Sequence, residues 1–233
     1  MKAVSVIITA YNTADYIEPC LESVIKQTYR GPCEILLGID NCKETLEAAL
    51  AVRHRYNDND GSRILNLRIF MMRENYGTYV VSNTLIDNSR GDYILRFDSD
   101  DLMKSDMIKT LVNQDADIVV MKYATFGRIV QHPNRYSFGQ ALFKREVFDA
   151  CGGYSPWRCA ADKELLNRAS LKFEIKKLND RLFFKRMHKG ALTKAEDTGR
   201  GSAPRREAHR KLRELSDKGI IKIERVTGNY EEL

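Results

Sequence analysis

Short unbroken apolar runs alternate with helical patterns through the first half of the chain. Residues 4–9 form a continuous, β-branched apolar run, the mark of a strand buried on both faces. Ile17, Leu21, Val24 and Ile25 then recur at 3–4 spacing, which predicts a helix with Asn12 and Thr13 available as its cap. Gly31 and Pro32 break the chain before a second strand at 34–39. A helix over 43–55, with Leu46, Ala49 and Leu50 on one face, leads to a polar turn at 57–62 and a third strand at 64–71. Residues 79–88 read as helix, Gly91 interrupts, and 93–97 form a fourth strand. The order β-α-β-α-β-α-β predicts a parallel sheet with helices on both faces. In such sheets ligands bind beyond the carboxyl ends of the strands. The polar clusters fall there: Tyr11 and Asn12, Asp40 and Asn41, the stretch 74–77, and the stretch 98–101. They are expected to converge on one crevice.

The second half is less regular. Strands are predicted at 118–122 and 128–132, with a short extended piece at 140–143. A helix over 145–150 ends at Gly152 and Gly153. A second helix covers 161–171, and the pieces 173–177 and 181–187 read as a hairpin. Residues 191–203 are polar and Gly-containing. A charged helix follows over 204–218, then a short terminal strand at 220–226.

At 233 residues, the chain suits one domain with a small appendage. With 43% hydrophobic and 30% charged residues it has the composition of a soluble chain with a sizeable core. No apolar run is long enough for a transmembrane helix. The short N-terminal apolar run reads as a first strand and not as a signal peptide. The five cysteines are odd in number and lack a CxxC pair, which predicts reduced, buried thiols in a cytoplasmic compartment. The net charge is +6, and its excess lies from Lys163 onward. That balance favours an anionic partner: nucleotide phosphates, an acidic membrane face that would hold the chain peripherally, or nucleic acid. The stretch 200–213, with Arg205-Arg206 and His209-Arg210-Lys211, fits these readings and also a plain solvated helix.

The densest chemistry is Asp98-Ser99-Asp100-Asp101, directly after a hydrophobic strand. Carboxylates packed so closely repel one another, and desolvating them is costly unless a cation neutralises them. Hard divalent cations such as Mn2+ or Mg2+ take oxygen ligands and are commonly shared between carboxylates and substrate phosphates. A diphosphate leaving group needs such a cation. The competing reading is a solvated turn that caps a helix starting at Leu102.

With these motifs in hand, the chain resembles an inverting family 2 glycosyltransferase with the GT-A fold, a Rossmann-like α/β sheet flanked by helices. The resemblance runs from about Val4 to about Lys194, with the motifs in the family's order. Residues 4–12, VSVIITAYN, match the opening strand and its nucleotide-contacting Tyr-Asn. LESVIKQT at 21–28 matches the first helix, and Ile39-Asp40-Asn41 the turn that reads the uracil. Asn75-Tyr76-Gly77 with Asn83 matches an "N-x-G … N" segment, and 91–101 the strand into the Asp-x-Asp. FKREVFDACGGY at 143–154 matches the acceptor-side segment. Ala161-Asp162 with Glu164, Leu165 and Arg168 matches the base motif, and His188 the His after the last core strand. The chain departs from the family in having Thr9 where Pro is common, Asn41 for a second carboxylate, and Ala161 for the Glu of the usual Glu-Asp pair. It also lacks the Gln-x-x-Arg-Trp motif of processive synthases, which favours a soluble transferase making single additions.

The resemblance implies metal-dependent transfer of a hexose from a UDP-sugar, UDP-glucose-like, to a hydroxyl of a glycan or lipid-linked saccharide. A nucleic-acid or protein acceptor is the alternative. Asp100 is the expected main metal ligand, Asp98 a ligand of metal or ribose, and His188 a ligand of metal or diphosphate. Asp40 would accept from uracil N3 and Tyr11 would flank the base. Thr9, Asn12, Asn75, Asn83 and Ser99 complete the donor-binding set. Asp162 would act as general base on the acceptor hydroxyl; read without the family, its carboxylate suits the N-terminal turn of its helix. Arg73 and Arg96 are candidates for phosphate contact, and Trp157 for a sugar-stacking wall. Residues 189–202, with Gly190, Gly199 and Gly201, are the candidate lid. The implied layout is a glycosyltransferase domain over 1–194, divided into a nucleotide half (1–101) and an acceptor half (102–194), with a basic extension at 195–233. Two other classes share some features: a nucleotidyltransferase, disfavoured because no Gly-rich loop follows the first strand, and a non-catalytic nucleotide-sugar-binding module, disfavoured by Asp162.

Overall fold

The computed structural model describes residues 1–57, 66–127, 131–192, 194–199 and 201–233. Strand β1 (Val4–Ala10) is buried along its whole length, as its continuous apolar run requires of a strand flanked on both sides. It is followed by α1 (Ala14–Ile25), β2 (Cys33–Ile39), α2 (Lys43–Asn57), β3 (Asn66–Met72), α3 (Thr78–Asn88) and β4 (Tyr93–Asp98). β1 pairs in parallel with β2 and β4, and β2 in parallel with β3. The register sets Thr9 beside both Gly38 and Asp98, so the three strands end at one level. Val4, Val6, Ile8 and Ala10 face one core and Ile7 the other, which places a helical layer's packing on each face of the sheet.

The second half contributes β5 (Leu102–Met103), α4 (Met107–Val112), β6 (Ile118–Phe126), β7 (Tyr136–Lys144), α5 (Arg145–Cys151), α6 (Ala161–Ala169), β8 (Ile175–Arg186), α7 (Ala203–Asp217) and β9 (Tyr230–Glu232). Among the described residues the strands form one mixed sheet in the order β5-β8-β6-β7-β4-β1-β2-β3-β9. The two halves are joined where β7 runs antiparallel to β4, through Tyr93↔Lys144, Ile94↔Phe143 and Leu95↔Leu142. Beyond Leu95 these strands no longer pair.

Two sequence expectations are corrected. The pieces 173–177 and 181–187 are one strand, β8, which runs parallel to β6. The turn-like Asn179-Asp180 sits where the register jumps from Met121↔Leu178 to Lys122↔Arg181, so the extra residues are absorbed as a bulge. Residues 220–226 are not a strand. Their backbone is satisfied instead by the helical layer: Ile223 N–H donates to Cys151 O, and Ile221 O accepts from Arg168. The terminal strand lies further on, as β9 against β3. This returning segment also covers α3, whose residues from Tyr79 to Ile86 are all buried. The expected turn at 57–62 and the strand at 128–132 fall mostly outside the described residues, although Gln131 bridges Thr125. No helix among the described residues is long and apolar enough to cross a membrane.

The second half is anchored by Arg168, fully buried on α6. It pairs with Glu164 one turn earlier and donates to the carbonyls of Cys151, Gly153 and Ile221. A buried guanidinium is tolerable only with its donors so occupied. Glu164 and Arg168, part of the base-like motif in the sequence, therefore tie α6 to the turn after α5 and to the returning segment.

Candidate active site

A cleft of about 670 Å3 opens at the carboxyl ends of β1, β2 and β4. The strand ends supply Thr9, Tyr11, Asn12, Asp40, Asp98, Ser99 and Asp100, and Asn75, Asp162 and His188 join them from other elements. Sharp turns bring these residues out of the sheet: Asn12 and Asn41 both adopt positive φ, 52° and 54°, which Asn tolerates better than most residues.

At the end of the cleft beside β2, Asp40 is buried at 4% exposure. Its carboxylate accepts from the N–H groups of Tyr76 (2.8 Å) and Gly77 (2.9 Å), so it fixes the loop that opens α3. Burial pushes the Asp40 carboxyl up, against those two hydrogen bonds and the nearby Arg158 guanidinium. Arg158 in turn donates to Asn75 Oδ1 at 3.1 Å. Tyr11 is half exposed beside this corner, free to flank a planar ligand.

At the centre, oxygens of Asp98, Asp100 and Asp101 lie within 4.8 Å of one another. Each carboxylate has a different neighbour. Arg96, buried on β4, forms an ion pair with Asp98 at 2.9 Å. His188 Nε2 meets Asp100 Oδ2 at 2.8 Å. Asp101, at 1% exposure, accepts from the Arg186 N–H at 2.8 Å. Gln140 Nε2 donates to both Asp98 (2.6 Å) and Asp101 (2.7 Å), so one amide spans two carboxylates. Burial works against ionisation of Asp98, yet the charges of Arg96 and Lys185 hold it below the ordinary range. Asp101 is pushed well up by burial and by the charges of Asp100 and Asp98. Burial would lower Lys185, but Asp98, Asp101 and Asp100 together hold it above its ordinary value. Three hard oxygen donors with an imidazole at their edge fit a divalent cation such as Mn2+ or Mg2+. The reading of this turn as the cap of a helix starting at Leu102 is corrected, because the short strand β5 follows it and the Asp101 carboxylate points into this network.

At the far end, Asp162 stands in the first turn of α6. Tyr79, buried on α3, donates to its Oδ1 at 3.0 Å. The other oxygen looks across the gap over Gly139: a Cβ placed there would lie 3.5 Å from Asp162 Oδ2 and 3.9 Å from Asp98 Oδ2. Both carboxylates thus face one opening that glycine keeps clear. Ala160, just before α6, holds the left-handed conformation at φ 64°. For a residue with a Cβ this costs about 1–2 kcal/mol, and such strain concentrates at functional sites.

Asn83 does not reach the cleft. It is fully buried, and its amide bonds Tyr154 O, Tyr154 N–H and Val226 O, so it fastens the 152–154 turn and the returning segment to α3. Arg73 is exposed away from the cleft, where its N–H donates to Asn229 O. Arg96 lines the cleft, but its donors serve Asp98, Thr78, Ser82 and Gly139. Trp157 packs against Cys159, Ala160 and Ala208 and does not line the opening. The candidate lid lies over the cleft through Gly190, Ala191, Leu192, Ala195, Asp197 and Thr198. Arg205 Nε holds it by donating to Thr198 O at 2.8 Å.

A mixed sheet whose parallel first half ends in an acidic cleft, with a carboxylate facing it from the second half, is the GT-A arrangement of glycosyltransferases. This chain belongs to glycosyl transferase family 2, whose profile it matches over residues 5–213. It is 32% identical over 133 residues to the glycosyltransferase GlyG of Streptococcus pneumoniae, covering 54% of this chain and 40% of GlyG. The chain thus spans well under two thirds of that relative's length. Among solved structures it is similar to TarS residues 1–349 of S. aureus in complex with UDP-GlcNAc, with TM-score 0.66 and 18% identity over 81% of this chain and 60% of that one. It is also similar to the mannosyltransferase PcManGT of Pyrobaculum calidifontis in complex with GDP-Man and Mn2+, with TM-score 0.67 and 18% identity over 94% of this chain and 72% of that one. At such identity the two structures establish the fold.

Proposed function

We propose that the chain transfers a hexose from a UDP-sugar to an acceptor hydroxyl with inversion, using Asp162 as general base. The observation that carries this reading is the pair of carboxylates across Gly139, one belonging to the acidic cluster and one to α6. An acceptor oxygen that gives its proton to Asp162 Oδ2 attacks the anomeric carbon from the side opposite the diphosphate, which inverts the configuration. Tyr79 holds the other carboxylate oxygen, so Asp162 presents a defined face to the acceptor. Asp40 keeps lone pairs for uracil N3–H beside its two backbone donors, and Tyr11 covers the base. Asp98 and Asp100, with His188, would hold a divalent cation, which supplies neutralisation of the diphosphate leaving group. Gly190, Ala191, Leu192, Ala195, Asp197 and Thr198 of the candidate lid 189–202 line the cleft and would exclude water from the donor. The acceptor is a saccharide, free or lipid-linked. TarS bound to UDP-GlcNAc and PcManGT bound to GDP-Man and Mn2+ support the donor class and the metal by analogy of fold.

The test is calorimetric titration with UDP, UDP-glucose, UDP-GlcNAc and GDP, each with Mn2+ and with EDTA, on wild type, D100A and D162N. Uridine nucleotides are expected to bind with metal, weakly with EDTA and weakly to D100A. D162N should bind the donor as wild type does and lose donor turnover by about 100-fold or more. Preference for GDP would overturn the uracil assignment, and full turnover by D162N would overturn the base assignment.

A further inference from the structure

Helix α7 carries two kinds of cation. Arg210 pairs with Glu207 and Glu214, and Lys211 pairs with Glu207, so that face is self-neutralised. Arg205, His209 and Arg213 recur at i, i+4 and i+8 and lie on one face of the helix. None of the three, nor Lys163 on α6, forms an ion pair with a carboxylate among the described residues. Their charges are nonetheless gathered: burial and then the positive charges of Lys163, Arg205 and Arg213 hold His209 below its ordinary value, with Asp162 acting the other way. The helices are locked side by side by Ala208 packed on Cys159 and Ala160, and by Asn167 donating to Ser216 at 2.9 Å. Arg205, Lys163 and Arg213 therefore form a track of unpaired charge that starts at Arg205 in the cleft, passes Asp162 and continues beside α6, with His209, held toward its neutral form, as a hydrogen-bonding group among them. Lys163 and Arg213 do not line the cleft, so a donor diphosphate seated there leaves their charge unused.

We propose that this track binds the acceptor, and that the acceptor is a saccharide chain bearing anionic groups, phosphate or carboxylate, at intervals along its length. The inference rests on the reading of Asp162 as the acceptor's base. A narrow line of charge leading into a cleft fits an extended chain better than a flat membrane, and α7 offers no fully exposed large apolar side chain for insertion into lipid. The track carries no exposed aromatic ring on which nucleic-acid bases would stack.

Fluorescence anisotropy on the full chain tests the assignment. The labelled probes are an oligogalacturonate, a sugar-phosphate oligomer and a neutral malto-oligosaccharide of equal length, alongside an oligothymidylate of matched charge and phosphatidylcholine vesicles containing phosphatidylglycerol. At least one anionic saccharide is expected to bind about tenfold or more tighter than the neutral one, weakening as salt rises. The tighter of the two names the anion. The double variant K163Q/R213Q should lose about tenfold or more of that affinity, whereas R210Q/K211Q on the paired face stays within about threefold of wild type. Equal binding of the neutral chain, no binding of any saccharide, equal loss in both variants, or tighter binding of the oligothymidylate or the vesicles would overturn the proposal. UDP titration of K163Q/R213Q separates the two readings: unchanged UDP binding with lost saccharide binding leaves the donor site intact, and absent UDP binding in wild type defeats the donor reading by itself.

Discussion

Gln140 is the residue whose loss tests how the acidic cluster is built. Its amide donates to Asp98 at 2.6 Å and to Asp101 at 2.7 Å, and its carbonyl oxygen accepts from Ser137 at 2.5 Å. At 1% exposure it has no water to exchange with. Gln140→Leu keeps the volume close and removes both donors. Each hydrogen bond to a charged group contributes about 1.5–3 kcal/mol, but part of that is recovered when the freed carboxylates relax. Residues that orient metal ligands typically account for about 10–100-fold in metal affinity, or about 1.4–2.8 kcal/mol at about 1.4 kcal/mol per decade. We expect Q140L to bind Mn2+ in the presence of UDP about 10–100-fold more weakly, read by calorimetry, with the far-UV circular dichroism of wild type. The opposite sign is physically available, because Gln140 also occupies carboxylate lone pairs that a cation could use. Affinity that is unchanged or tighter in Q140L would refute the idea that this amide arranges the cluster for metal.

Three further outcomes follow from the geometry. Glu164→Gln leaves the Arg168 guanidinium buried without its counter-charge; this should cost about 3 kcal/mol or more and lower Tm by about 6 °C or more at about 2–4 °C per kcal/mol, measured by thermal denaturation. Gly152→Ala places a Cβ 1.8 Å from Ile223 O at φ 81°, so limited proteolysis should cut within residues 220–229 faster than in wild type. Tyr79→Phe removes the 3.0 Å bond to Asp162 and should lower kcat by about tenfold, about 1.5 kcal/mol, with donor affinity unchanged; a rise in donor Kd equal to the fall in kcat would show that Tyr79 serves binding instead.

The parallel half was legible because its signals are local. A buried strand needs an unbroken apolar run, and the runs at β1, β2 and β4 declare themselves. Asp98, Asp100 and Asp101 are neighbours in sequence, so their mutual repulsion is visible before any fold is known. The residues that service them are not neighbours. Gln140 lies 42 positions beyond Asp98, and Tyr79 lies 83 before Asp162. Each occupies a strand or helix that would read the same had it faced elsewhere. Lys185 was hidden for the same reason, since only the pairing of β8 with β6 and β5 carries it to the carboxylates. Asn83 was misplaced because a polar residue inside a helix gives no sign of which way it turns. The false hairpin arose because a bulge and a tight turn favour the same residues, Asn179 and Asp180. The last strand was sought at 220–226 because an alternating apolar pattern looks the same whether it meets a sheet edge or, as Ile221 does here, a helical layer.

The short join between β4 and β7 has a mechanical meaning. Three residue pairs, Tyr93 to Leu95 against Lys144 to Leu142, connect the half that carries Asp98 and Asp100 to the half that carries Asp162 and His188. Beyond Leu95 the two strands no longer pair, and there Gly139 and Gln140 of β7 meet Asp98 and, at Gly139, Asp162. If Asp162 acts as the proposed base, a change of angle at this join would move the acceptor's base relative to the acidic cluster. Ligands that touch both sides, as His188 and Asp100 already do across 2.8 Å, act as a clasp on the fold. On the proposed reading of Asp162, the stiffness of three backbone pairs outside the cleft sets how often the chemistry is in line.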